Sequence, residues 1–152
     1  MSQVTANHHP VRLAHITFPK AKFARTRKLE PDKALYFPAF TLTAERHLDM
    51  GERKLVLALH VKSTTTRKAA LSFDFEAEAL FQCAEFERSE DALTQFAAGT
   101  TPLTLAWAYV RSYLASQMTH LGLPPYHLPL VLRWNEKADE PTKVEAIAAT
   151  GN

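Results

Sequence analysis

Hydrophobic and polar residues alternate along much of the first half of this chain. In residues 70–86, Leu71, Phe73, Phe75, Ala77, Ala79, Phe81 and Cys83 share one parity, and Ser72, Asp74, Glu76 and Glu78 share the other. A period of two over this length predicts a strand with one buried face and one wet face. Leu55, Leu57, Leu59 and Val61 repeat the pattern over residues 54–62. Phe40, Leu42, Ala44 and Leu48 do so over residues 34–48, with Arg46 an intruder on the apolar parity. Pro38 inside that run favours a sheet edge or a bulge. Asp49-Met50-Gly51-Glu52 reads as a hairpin connection, and residues 63–68 as a polar turn. Residues 11–18 are β-prone and stop at Pro19, and residues 20–33 read as a loop. Strands joined by short turns predict an antiparallel meander, because a parallel pair needs a long crossover.

The period then changes. Thr101 supplies a hydroxyl cap, and Pro102 suits the first helical position. Leu103, Trp107, Val110, Leu114, Gln117 and Leu121 recur at spacings of three and four, one apolar stripe of a helix. Thr104, Ala108, Arg111, Ser112, Ala115 and Thr119 form a second, largely small face, which suits close packing of helices between subunits. Gly122 fits a left-handed cap, and Pro124 and Pro125 forbid continuation. Residues 126–134 are extended and apolar. Residues 1–10 form a polar arm, and residues 135–152 a polar tail with at most a short helix around 143–149. The expected architecture is two-layer α+β: a four-stranded antiparallel sheet with one long helix packed on one face. The other face is then wet, paired with another subunit, or used for binding.

Length and composition fit one soluble domain: 152 residues, 46% hydrophobic and 22% charged. No apolar run approaches the ~20 residues of a membrane span, and the first ten residues lack the apolar core of a secretory signal. The single cysteine, Cys83, fits a reducing compartment and a cytoplasmic location. Charge is uneven. Residues 1–68 hold 13 Lys/Arg and 5 Asp/Glu, and residues 69–152 hold 5 and 11. The halves either present two unlike surfaces or intermix in space and cancel.

Chemistry-bearing motifs are few. Four glycines leave little room for a phosphate-binding loop, and the seven histidines show no ligand spacing. No metal or cofactor is expected. Asp74, Glu76 and Glu78 form a carboxylate ladder with neighbouring Cβ atoms ~6.5–7 Å apart. Acid–base work would need a closed pocket around it. A solvated face, or a docking surface for a basic partner, is the simpler reading, and the chain does not read as an enzyme. Lys20, Lys22, Arg25, Arg27 and Lys28 fit a solvated loop, with a nucleic-acid footprint as the rival.

In the helix, Trp107-Ala108-Tyr109-Val110-Arg111 resembles the Pro-Tyr-Ala-Arg core of the SecB family of export chaperones, with Ala108 in place of proline. The run from Gly122 to Leu132 resembles the family's Gly-x-Phe-Pro-x-Leu-x-Leu-x-Pro-Val-Asn segment. Pro124, Leu128 and Val131 match, while Leu130 and Leu132 replace proline and asparagine. Phe75-Glu76-Ala77-Glu78 resembles the family's apolar-Glu-Val-Gln strand, and residues 11–23 its first strand. The similarity spans residues 11–134.

The resemblance implies a SecB-like domain, a homotetramer built as a dimer of dimers, and ATP-independent holding of unfolded polypeptide clients, without membrane insertion. It implies a client groove lined by Leu29, Leu35, Tyr36, Phe37, Phe40, Tyr126, Leu128, Leu130 and Trp134. Taken singly, each of these is as well explained as core. The small helix face would pack between dimers. Family members dock the translocase motor SecA through acids on the sheet face and first strand. Glu76, flanked by Asp74 and Glu78, keeps one such position, whereas Lys20 and Ala24 replace the first-strand acids. The family's second helix is reduced here to a short tail. A SecB-like chaperone for another client, such as an antitoxin, is the alternative within the family.

Overall fold

The period-two stretches become the strands of one sheet in the computed structural model, which describes residues 10–25, 38–64, 69–84, 89–124 and 142–146. In chain order the elements are β1 (Val11–Arg25), β2 (Phe40–Asp49), β3 (Lys54–Ser63), β4 (Leu71–Cys83), α1 (Ser89–Ala98), α2 (Thr101–His120) and β5 (Thr142–Ala146). Every neighbouring pair is antiparallel, in the order β1-β4-β3-β2-β5. Strands β2, β3 and β4 form the expected meander. β1 lies beside β4, not β2, which makes the four-stranded part a Greek key. The chain between Arg25 and Phe40 is too long for a tight hairpin, so β1 is free to pair across the sheet.

Strand β1 runs through Pro19. The ladder shifts register between Thr17 and Lys20, and among the described residues β1 has a strand, β4, on one side only. A bulge on an outer strand is where a residue without an N–H is tolerated. Lys20, Lys22 and Arg25 therefore lie on a strand and not in the expected loop.

The apolar parities of β3 and β4 interlock. Leu55 faces Phe81, Leu57 faces Ala79, Leu59 faces Ala77 and Val61 faces Phe75, and all eight are buried. The two central alanines of β4, flanked by Phe75 and Phe81, leave a surface onto which helices can settle. Trp107, Val110 and Leu114 of α2 and Leu93, Phe96 and Ala97 of α1 join this core. Phe40 stacks on Trp107 at 5.9 Å, and Phe81 meets Phe96 edge-on at 5.2 Å. Both helices thus cover one face, where a single helix was expected. Met118 is buried on the α2 stripe, while Gln117 and Leu121 are half-buried.

Arg46, the intruder on β2, donates from its guanidinium to the Ala97 carbonyl at 2.7 Å. It satisfies an orphan carbonyl at the C-terminus of α1 and complements the helix dipole. Arg46→Ala is expected to cost about 1–2 kcal/mol in denaturant unfolding, the range for a charge-assisted bond at a helix end.

Helix α2 starts at Thr101 after Thr100, whose side chain makes no capping bond, so the expected Thr101 cap is displaced by one residue. The helix ends in a Schellman arrangement. Gly122 has φ +71°, its N–H donates to the Thr119 carbonyl, and Leu123 N–H donates to Met118. In the tail, β5 pairs with β2 over Phe40–Ala44. The expected helix around 143–149 is thus replaced, at residues 142–146, by a strand. Five residues, three of them polar, are too few to nucleate a helix alone, whereas the β2 edge offers a row of backbone groups to pair with.

Candidate functional site

Three surfaces of the described residues carry the candidate chemistry. The first is the outer face of α2. Thr104, Ala108, Ser112 and Thr119 are exposed, and Arg111 and Ala115 half-buried. The Thr104 and Thr119 hydroxyls donate to the Thr100 and Ala115 carbonyls at 3.0 and 3.1 Å. That internal pairing leaves the face small and weakly polar. Leu105 and Tyr109 share it and are 42% and 52% exposed. Their spacing of four places them together on the helix surface, beside the small-residue pattern.

The second surface is the open sheet face. Asp74 and Glu76 are half-buried there and Glu78 is exposed. In register beside them stand Lys22 and Lys20 on β1, and Lys62 and His60 on β3. His60 Nε2 lies 2.6 Å from Asp74 Oδ1. The carboxylate ladder is therefore interleaved with cations, and the two oppositely charged halves of the chain mix here. Pro19, Thr43, Glu45, His60, Glu76 and Glu78 line a shallow concavity of about 330 Å³ that opens to solvent. This surface is open and of mixed charge, whereas acid–base work calls for a closed pocket. Compensation by Asp74 and Glu76 likewise removes much of the basic field that a nucleic acid would sense at Lys20 and Lys22. Arg27 and Lys28 lie outside the described residues. Among the described residues, no three His, Cys, Asp or Glu side chains cluster to hold a metal.

The third surface is an aromatic cluster between β1 and α2. Phe18 stacks on Tyr113 with ring centres 3.7 Å apart, and Phe23 and Phe75 meet Tyr113 at 5.7 and 5.5 Å. Phe18, Phe23 and Tyr113 are half-buried. Their grouping was hidden because β1 was expected to end at Pro19. Burial raises the Tyr113 phenol above its ordinary value of about 10. The unfolded chain then loses this proton first, so the stability contributed below pH ~10 falls as pH rises through the folded value. Tyr113→Phe is expected to abolish that part of the alkaline loss, read as a flatter plot of unfolding midpoint against pH above ~10.

Of the expected groove residues, Phe40 is within the described chain. It is buried between Phe73 and Trp107 and belongs to the core. Its parity with Leu42 and Ala44 commits it to the helix-covered face. Leu29, Leu35, Tyr36, Phe37, Tyr126, Leu128, Leu130 and Trp134 lie outside the described residues.

No protein-family model matches the chain. No curated protein matches it. Among solved structures, the chain is similar to the SecB-like chaperone Rv1957 of Mycobacterium tuberculosis, determined in complex with a ChAD peptide from the Rv1956 HigA1 antitoxin. The two are 24% identical, with a TM-score of 0.58 over 80% of this chain and 91% of that one. The likeness shows a SecB-like fold: an antiparallel sheet with helices on one face.

Proposed function

We propose that this protein is an ATP-independent, SecB-like chaperone that holds non-native polypeptides in the cytoplasm. The observation that carries the reading is the fold likeness to a SecB-like chaperone seen in complex with an antitoxin-derived peptide. The outer face of α2 supports it. Leu105 and Tyr109, exposed among small side chains, suit burial against a second copy in a homotetramer. Non-native chains are held by apolar burial and backbone pairing along sheet edges, without sequence readout. The family resemblance assigns that role to Leu29, Leu35, Tyr36, Phe37, Tyr126, Leu128, Leu130 and Trp134, all outside the described residues.

Two observations favour a dedicated client of the antitoxin kind over handover to SecA. The similar structure holds an antitoxin peptide. The sheet face that would carry acidic docking groups is interleaved here with Lys20, Lys22 and Lys62. A test is fluorescence anisotropy with a labelled protein kept unfolded by carboxymethylation of its cysteines. Saturable binding that ATP leaves unchanged, and that the folded form of the same protein lacks, is expected. Absence of binding to the unfolded form would refute the proposal.

A further inference from the structure

Strand β5 sits at the end of the sheet and contacts β2 through five register pairs, from Phe40 opposite Ala146 to Ala44 opposite Thr142. β2 is ten residues long. Among the described residues, the remaining half, Glu45–Asp49, has no strand on that side. This uncovered half carries Leu48, which is 41% exposed although it lies on the apolar parity of β2. Among the described residues, β5 therefore covers half of this edge, and Leu48 stands exposed on the other half.

We infer that β5 is a displaceable occupant of the β2 edge, and that an extended client segment pairs there in its place. The inference rests on the client-binding reading above. The favoured segment alternates polar residues with small or branched apolar ones, as Thr142-Lys143-Val144-Glu145-Ala146 does. Thr142, Val144 and Ala146 fall opposite the core residues Ala44, Leu42 and Phe40, and Lys143 and Glu145 opposite Thr43 and Thr41. A client segment matching the whole of β2 makes every pair that β5 makes. It also pairs with Glu45–Asp49 and covers Leu48. Such a segment engages the Glu45–Asp49 half first and then peels β5 away, because each new backbone pair replaces an old one at little net loss. The tail thus shields the edge from chance pairing when no client is present, a recurrent need of sheet edges.

The test uses the full chain in a Cys83→Ser background. Thr43 and Lys143 are directly opposed, so Thr43→Cys with Lys143→Cys places a disulfide across the ladder and locks β5. In a separate variant, Val144→Pro removes a backbone N–H from β5 and weakens its pairing. The probe is the labelled carboxymethylated protein. Apparent affinity scales with the fraction of molecules whose edge is free. The oxidised lock is expected to bind about tenfold more weakly than the parent and to recover on reduction, while Val144→Pro binds several-fold more tightly. Equal affinity in all three forms overturns the inference and leaves the chaperone reading intact. Binding by none of them overturns both.

Discussion

Trp107→Ala is expected to destabilise the protein by about 3–5 kcal/mol, the range for truncating a fully buried aromatic side chain. Trp107 is almost completely buried and stacks on Phe40, which in turn packs on Phe73 of the sheet. Its removal opens a cavity where helix and sheet meet, and the flanking strands cannot collapse without breaking their ladders. A domain of this size has a total stability of about 5–15 kcal/mol, so the variant stands near the edge of folding at 37 °C. Urea unfolding followed by far-ultraviolet circular dichroism reads the loss. Leu105→Ala, on the exposed side of the same helix, is the control and should shift the isolated protomer by no more than about 0.5 kcal/mol. A Trp107→Ala loss no larger than this would remove Trp107 from the core.

Ala115→Arg is expected to split the proposed tetramer into dimers while leaving each protomer folded. Ala115 is half-buried and lies with Ala108, Ser112 and Thr119 on the small face of α2. Helices that approach across small residues leave no volume for a guanidinium, and a buried, unpaired charge costs several kcal/mol. Light scattering should report a fall from four subunits to two, with an unchanged circular dichroism spectrum. A variant that stays tetrameric would show that this face is not the interface.

The sheet was legible where burial imposes strict alternation. The apolar parities of β3 and β4 locate their buried residues almost position for position, because one face is packed and the other wet. β1 was legible only to Pro19. The rule that proline ends a strand failed at an outer strand with a bulge, which hid the grouping of Phe18 and Phe23 with Tyr113. Helix α1 was missed because it is short, although Ser89-Glu90-Asp91 followed by Leu93, Phe96 and Ala97 carries an acidic first turn and helical spacing. β5 left no signal, since five mostly polar residues gain their order from the β2 edge and not from their own pattern. The same limit applied to the carboxylate ladder. Its spacing was readable, but the lysines that interleave it arrive from β1 and β3 through pairings set by the whole sheet.

The central claim is that this chain holds non-native polypeptides without ATP. The most direct measurement dilutes a chemically unfolded protein into buffer with and without it, in the absence of nucleotide, and follows aggregation by light scattering. The account predicts suppression that saturates near a fixed ratio of client to chaperone and does not change when ATP is added. Aggregation proceeding at the same rate and extent with the folded protein present would contradict it.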